Sequence, residues 1–265
     1  MSNNFPSPLG GPVPDDVLLL EPPLIRVIAQ VQFAPIYKIG EPTSISNFQE
    51  SIRKVYPFIT QGMQIDMTQG LGGPMGNIVQ QVVWRFESLD RKSAASLSST
   101  TLTLDSQVYA GHAEFLGRWS FLLEEFDKSF ENSLVTRIGM RYINQFKISS
   151  ETDTAKIISQ KYLNPFLGEF PQNVSHSVSE TALKVEEGDM LLRLMRLPAN
   201  ATFDPVAVPP SKELSIVLDI DVSLTNQVPF SLPLANKQFE GFAGRARTFF
   251  QLVVASEFIE SKRAN

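Results

Sequence analysis

The sequence predicts an α+β protein made of two loosely similar halves, each with antiparallel strands backed by long helices. Segments that alternate apolar and polar residues follow one another in pairs joined by short turns, which is typical of antiparallel hairpins. Two long segments instead carry apolar residues at helical spacing. The regular strand–helix–strand order of a parallel sheet is absent, so antiparallel strands layered on helices are the economical arrangement.

The first half, predicted at residues 21–150, begins with a strand and a helix. Leu24–Phe33 is rich in β-branched residues and predicts a strand. Ser46 and Gln49 have the spacing of a capping box, which predicts that a helix begins there. We expect this helix to end before Pro57. Its apolar stripe consists of Phe48, Ile52 and Val55.

A hairpin and a long helix follow in the same half. Residues 78–87 alternate cleanly and predict one strand, and a turn near Asp90 and Arg91 leads to the next. The apolar residues of that second strand are Leu97, Leu102 and Leu104. Residues 113–132 predict an amphipathic helix, and residues 137–146 then return to strand. The apolar residues at helical spacing are Phe115, Trp119, Leu122, Phe126 and Phe130.

The second half, predicted at residues 151–265, repeats the theme. Its expected elements are a short helix at 154–162, a hairpin of strands 175–186 and 189–197 with Glu187 and Gly188 in the turn, a proline-rich loop at 198–211, a strand at 214–224 and a helix at 234–262. The last helix contains Gly241 and Gly244, and each glycine weakens a helix by about 1 kcal/mol relative to alanine.

Residues 1–20 predict an extended arm outside both halves. They hold four prolines, two adjacent glycines and the acidic pair Asp15 and Asp16. Proline fixes φ and lacks a backbone donor, so regular structure is disfavoured. The arm is either a tail draped over the surface or a strap that binds a partner.

The composition excludes several classes of protein. Of 265 residues none is cysteine, so disulfides, thiolate nucleophiles and cysteine metal sites are absent. The net charge of −5 disfavours a bulk electrostatic grip on nucleic acid. No apolar run approaches the roughly 18 residues of a membrane span, and the first residues lack the features of a secretory signal. We expect a soluble, cytoplasmic protein without a membrane partner.

Three stretches resemble one known family. They are Pro22–Leu24 leading into Gln30–Phe33, Trp84–Phe86 with Ser88 and Asp90, and the segment Arg137–Asn144, which reads RIGMRYIN. In order and length the chain is similar to an uncharacterised bacterial family described as sporadically distributed. The resemblance implies no activity. A patchy distribution implies mobile genes, and hence a link to phage defence or toxin–antitoxin systems.

The motifs of common chemistries are missing. The glycines within residues 70–76 are interrupted by Pro74 and lack the lysine of a phosphate-binding loop. The two histidines, His112 and His176, form no metal-binding motif, and we expect no cofactor. Glu260 and Lys262 have a nuclease-like spacing, but residues two apart on a helix do not face each other.

Two acidic residues give a weak alternative for a metal site. Asp219 and Asp221 share one face of the predicted strand 214–224 and could hold a divalent cation. The simpler interpretation is a half-buried strand whose acidic side lies in water.

The arginines give the stronger candidate for a ligand site. Arg137, Gly139 and Arg141 project to one face of a regular strand, and Arg85 could join them. Several guanidinium groups on one face suit a phosphate or carboxylate ligand, since the planar fork binds such groups bidentately. The alternative is that Arg137 and Arg141 form ion pairs with Asp219, Asp221 or Glu87 across strands.

Three functional hypotheses follow. The absence of catalytic motifs and the proline-rich arm favour a non-catalytic interaction or accessory protein, which binds a protein partner or forms a homo-oligomer. The arginine face favours a domain that binds an anionic small molecule or nucleotide. The aspartate pair would suit a metal-dependent enzyme acting on nucleic acid, the least favoured of the three.

Overall fold

Nine strands in one antiparallel sheet and six helices make up the described part of the chain, which confirms the predicted α+β class. A computed structural model describes residues 5–67, 78–131, 134–148, 150 and 153–263. The strands are β1 (Leu24–Phe33), β2 (Phe58–Met67), β3 (Ile78–Glu87), β4 (Ser93–Ser98), β5 (Thr101–Ser106), β6 (Leu134–Lys147), β7 (Ser177–Val185), β8 (Gly188–Leu197) and β9 (Ser215–Pro229). The helices are α1 (Pro42–Ile52), α2 (His112–Phe130), α3 (Thr154–Ile157), α4 (Pro165–Glu169), α5 (Leu232–Val253) and α6 (Ser256–Lys262).

The sheet order is β2-β3-β4-β5-β1-β6-β9-β8-β7. Strands that follow one another in sequence therefore pair as hairpins from β2 to β5 and from β7 to β9. The turn predicted after β3 is present: Arg91 has a φ of +56°, and the carboxylate of Asp90 accepts hydrogen bonds from the Ser88 hydroxyl and the Lys92 amide. None of the six helices in the described residues is long and apolar enough to cross a membrane.

Two compact units divide the chain. The first unit comprises Met1–Val27, Gly139–Leu224 and Lys237–Asn265, and the second comprises Ile28–Ile138 and Thr225–Asn236. Each unit is assembled from stretches that are separated in sequence. The division into halves at 21–150 and 151–265, with a separate arm at 1–20, stays a prediction.

The core of the second unit is aromatic and is organised by α2. The Phe126 ring lies 4.8 Å from the Phe33 ring of β1 and 5.5 Å from Phe130. Phe48 of α1 meets Phe86 of β3 edge-on at 5.5 Å, which is a favourable aromatic geometry. The stripe predicted on α2 is buried, and Leu123 is buried beside it; the stripe comprises Phe115, Trp119, Leu122, Phe126 and Phe130.

The first unit has its own aromatic contacts. Phe146 of β6 stacks on Phe250 of α5 with centroids 6.5 Å apart and meets Phe258 of α6 edge-on at 5.4 Å. On α5, Phe239 and Phe242 are fully buried and contact each other at 5.8 Å. The apolar side of both C-terminal helices therefore packs against the strands of this unit.

The start of α1 differs from the prediction. The helix begins at Pro42, because proline at the first helical position loses no hydrogen bond and has a suitable φ. Ser46 lies inside the helix, where its hydroxyl donates to the Thr43 carbonyl, so the predicted capping box is wrong. Val55 lies beyond the helix and is exposed.

The helices of the second half also differ from the prediction. The helix expected at 154–162 ends at Ile157, and the five-residue helix α4, capped by the Asn164 side chain, was not predicted. The helix expected at 234–262 breaks into α5 and α6. At the break the Ala255 amide donates to the Ile157 carbonyl at 2.8 Å, so a distant backbone group takes the place of a helical partner.

Gly188 in the β7–β8 turn provides a test of the fold. Its φ is +144°, and a Cβ there would lie 2.3 Å from the Ser223 carbonyl oxygen of β9. We expect Gly188→Ala to lower the free energy of unfolding by about 2 kcal/mol or more, because strained backbone and a backbone clash add. Chemical denaturation measures the change. The control is Gly168→Ala in α4 of the same unit, where a Cβ meets open space and stability should hold or rise slightly. Equal effects for the two variants would contradict the turn geometry.

Candidate functional site

A buried carboxylate lies at the centre of a group of charged side chains, of which the sequence analysis singled out Arg141 and Asp219. Asp219 of β9 accepts hydrogen bonds from Arg141 of β6, with Nε 2.8 Å from Oδ1 and Nη2 2.8 Å from Oδ2. Arg193 of β8 adds a third bond from Nη1 to Oδ2 at 3.2 Å. With Asp204 and Glu180, described next, these residues form what we call the arginine–carboxylate cluster.

Two further carboxylates complete the cluster. Asp204, in the loop after β8, accepts from both terminal nitrogens of Arg141 at 3.3 Å. Glu180 of β7 accepts from Arg193 Nε at 2.6 Å. The cluster therefore joins four neighbouring strands and one loop through side chains alone.

Strand register places these residues together. Arg193 is the direct cross-strand partner of Asp219, and Glu180 is the direct partner of Arg193. Alternate residues of a strand share a face, so Met195 and Val217 lie on the same side as the cluster. They belong to a buried apolar group that consists of Ile143, Met195, Leu197, Ala207, Val208 and Val217.

The loop from 198 to 211 is held over this face. The Asp204 carboxylate accepts from the Ala207 amide at 3.1 Å, and the Thr202 hydroxyl donates to the Val208 carbonyl at 2.6 Å. One carboxylate oxygen of Asp204 thus accepts a hydrogen bond from the loop, and the other accepts from Arg141. The predicted water-exposed acidic face of β9 is wrong at Asp219, whose side chain is only 1% exposed.

The electrostatics favour charge on Arg141. Burial lowers the pKa of Arg141, but the hydrogen bonds and charge of Asp219, with the charges of Asp204 and Asp221, outweigh burial and leave the pKa above its ordinary value. Two guanidinium groups face three carboxylates, so the cluster carries no surplus positive charge. An anionic ligand would have to displace a carboxylate already in place.

The other residues of the proposed arginine face lie elsewhere. Arg85 binds Glu87 on its own strand at 3.1 Å, and Arg137 donates to Gln30 at 3.4 Å. In the sheet order β3 and β6 are four positions apart, which is roughly 19 Å at the usual strand spacing. Gly139 is buried on β6. The structure therefore does not bring Arg85 to Arg137, and it places Arg141 in the ion pair with Asp219 that was the open alternative.

The residues considered for metal binding have other contacts. Both oxygens of Asp219 face guanidinium groups, and the described residues contain no group of three or more acidic or histidine side chains that could hold a metal ion. The two residues with nuclease-like spacing form separate ion pairs: Glu260 binds Arg263, and Lys262 binds Glu21. The glycines at 70–76 lie outside the described residues.

An open groove of about 930 Å³ lies beside α3 and α6. Lys147, Lys156, Asp153 and Glu257 line it, so its charges balance. Lys156 binds Asp153 at 2.9 Å. The groove does not concentrate charge of one sign for a ligand.

A second buried charge, Arg245, was not predicted from the sequence. Arg245 of α5 is fully buried and binds Glu187 bidentately, with Nε and Nη2 at 2.8 and 2.9 Å. Its remaining donors reach the N-terminal arm, at the Pro8 carbonyl (2.6 Å) and the Gly11 carbonyl (3.3 Å). Arg245 thus links the last long helix, the β7–β8 turn and the arm.

The helix glycines that seemed only to weaken α5 explain how the arm fits. A Cβ on Gly244 would lie 2.9 Å from Val13 Cγ1, and a Cβ on Gly241 would lie 3.2 Å from Glu187 Cγ. Both positions admit a neighbour that any larger residue would push away. In the sequence, two glycines about one turn apart on a helix were the feature that could have predicted close packing near Arg245.

Further polar contacts hold the arm along α5 and α6. The Pro14 and Asp15 carbonyls accept from Arg247 and Gln251 of α5 at 3.1 and 2.8 Å. The Leu20 amide donates to the Lys262 carbonyl of α6 at 2.8 Å. Of the two roles left open for the arm, draping over the chain's own surface is the one that these contacts describe.

Comparisons with known proteins do not add a family or a function. No protein-family model matches the chain, and no curated protein matches it. The resemblance to a sporadically distributed bacterial family stays a prediction.

Arg141 and Arg85 make a matched pair of variants for the cluster. We expect Arg141→Ala to lower the free energy of unfolding by about 3 kcal/mol, because it leaves Asp219 buried with one weak partner. Arg85→Ala removes a side chain that is 40% exposed, and we expect less than about 1 kcal/mol. Chemical denaturation checks both values. Similar small losses would mean that Asp219 does not depend on Arg141.

The arm can be tested through Arg245→Lys. Lysine keeps the charge but cannot bind Glu187 bidentately while also reaching the Pro8 and Gly11 carbonyls. We expect hydrogen exchange to quicken at the Gly11 amide, which donates to Glu186 at 2.8 Å, and at the Glu186 amide, which donates to the Leu9 carbonyl at 2.9 Å. Arg53→Lys, at an exposed pair on α1, is the control. Unchanged exchange at both amides would show that Arg245 does not hold the arm.

Proposed function

We propose that this chain is a non-catalytic interaction protein that binds a partner protein through an exposed aromatic surface beside β7. The observation that carries the proposal is the exposure of two phenylalanines at the ends of α4. Phe166 is 64% exposed and Phe170 is 46% exposed. We call this pair the aromatic patch.

The patch is a compact surface of the first unit. The Phe170 amide donates to the Phe166 carbonyl at 2.8 Å, so the two residues are one helical turn apart. Asn164, which caps α4, donates to the Ser177 hydroxyl at 3.3 Å and ties the helix to the start of β7. Ser179 lies on the same face of β7 as Ser177, because alternate residues of a strand share a face, so α4 lies on that face of the strand.

Exposed aromatic side chains that cluster are typical of protein interfaces. Single apolar residues on a surface are common, but a cluster supported by a helix and a strand supplies the aromatic anchors that dominate binding energy. Phenylalanine gains free energy by losing contact with water, and a partner protein offers the apolar pocket that does this.

The charged groups support a non-catalytic role. Asp219 is enclosed by two arginines, and Arg141 is held by two carboxylates, which weighs against both the metal-dependent enzyme and the anion-binding domain. The link to bacterial defence or mobile elements rests on the family resemblance. The cytoplasmic location rests on the absence of cysteine, which suits a reducing compartment.

The test is quantitative capture of a partner from the protein's own cells. We expect a distinct protein to co-purify in constant ratio with the wild-type chain and to cross-link near Lys161 or Lys184, which flank the patch in sequence. In the double variant Phe166→Ser with Phe170→Ser, capture should fall at least about tenfold, because each anchor contributes on the order of 2 kcal/mol.

The control is Tyr37→Ser, which removes an aromatic side chain that is 82% exposed in the second unit. It should leave capture unchanged. Equal capture by the double variant and the control would refute the aromatic patch as the binding surface. A wild-type chain that retains no protein in constant ratio would refute the interaction role itself.

A further inference from the structure

Strand β7 lies at an edge of the sheet and pairs with β8 alone in the described part of the chain. Nine consecutive residues of β7 pair with β8 without a skipped position, so the strand has no bulge. The side chains of residues 178–182 are exposed. An edge strand presents backbone donors and acceptors that can pair with another strand.

The usual means of protecting an edge are sparse here. Ser177–Val185 contains no proline and only one lysine, Lys184. Proteins commonly block an edge with proline, with bulges or with several charges that repel a second strand. β7 instead carries one charge of each sign, Glu180 and Lys184, four residues apart on the same face.

We propose that β7 pairs with β7 of a second copy of this chain, antiparallel about a twofold axis at Ala182. Twofold antiparallel pairing at Ala182 places Glu180 of each copy opposite Lys184 of the other. Opposite charges directly across an antiparallel pair stabilise it. A C2 dimer contains this contact twice.

The same register extends a pattern of charges already present in one chain. Across β9, β8 and β7 the direct partners Asp219, Arg193 and Glu180 alternate in sign. Lys184 is the direct partner of Asp189 on β8. In the dimer each row therefore continues from Glu180 to Lys184 and Asp189 of the second copy, with negative and positive charges alternating over five strands.

The ends of β7 are consistent with this register. The Glu186 amide is already bonded to the Leu9 carbonyl of the arm, so strand pairing can extend only to Val185. At the other end, Ser177 is held by Asn164. Pairing about Ala182 uses residues 179–185 and needs neither Ser177 nor Glu186. Pairing about Thr181 would instead place Glu180 opposite Ala182 and lose the charge contact.

This proposal concerns the backbone edge of β7 and a second copy, so it stands independently of partner binding at the aromatic patch. Purified protein alone suffices to test it. We expect sedimentation equilibrium to show a concentration-dependent monomer–dimer equilibrium. A purified protein that stays monomeric would contradict the dimer and would not bear on the aromatic patch. A capture experiment that finds no partner would contradict the proposed function and would not bear on the dimer.

Charge reversal tests the register. Glu180→Lys and Lys184→Glu each place like charges opposite one another twice, and each should weaken the dimer at least about tenfold. The double variant restores opposite charges between copies and should recover the wild-type dissociation constant within a few-fold. Within one chain it instead puts lysine opposite Arg193 and glutamate opposite Asp189, so recovery can come only from the contact between copies.

Glu50→Lys is the control, because it makes the same substitution at an exposed pair on α1 and should leave the dimer unchanged. Hydrogen exchange of the wild-type protein gives a readout that does not depend on variants folding: amides of residues 179–185 should gain protection as concentration rises. A chain that stays monomeric, a double variant as weak as the single ones, or a dimer without added protection in β7 would each overturn the proposal.

Discussion

The carboxylate of Asp219 is the constraint on which the first unit depends. A buried charge without partners is far more costly than any single contact in a protein, so the structure around it must supply donors. Arg141 and Arg193 do so from β6 and β8, on either side of β9. Because the guanidinium groups are then themselves largely removed from water, Asp204 and Glu180 provide them with further negative partners.

Arg245 applies the same principle on the helical side of the unit. Its bidentate partner Glu187 comes from the β7–β8 turn. Backbone carbonyls of the arm accept further hydrogen bonds from the Arg245 guanidinium group. Replacing such a set by apolar residues can preserve stability, whereas removing one member leaves a charge without a partner. Each of the two charges is therefore a point where segments distant in sequence meet: β6, β8 and β9 at Asp219, and α5, the β7–β8 turn and the arm at Arg245.

The sequence predicted what depends on local pattern. The β-branched composition predicted the bounds of β1, alternation predicted those of β3, and the helical spacing of apolar residues predicted α2 within two residues at each end. The sequence did not decide whether Arg141 belongs to a ligand site or to an ion pair. The answer depends on how β6 lies against β9, and these two strands are separated by more than 60 residues. The break before α6 has a similar cause: the Ile157 carbonyl that receives the Ala255 amide is almost 100 residues away.

The link from Arg245 to Pro8 spans 237 residues of sequence, and this has a consequence for synthesis on the ribosome. At about 5–20 residues per second, the arm emerges on the order of tens of seconds before the helix that receives it. Throughout that interval the arm lacks its partner on α5, and Glu187, which is 58 residues before Arg245 in sequence, lacks it for the last part. A chain whose synthesis stops before α5 never forms this contact, so the carbonyls of Pro8 and Gly11 and the carboxylate of Glu187 lack their buried arginine.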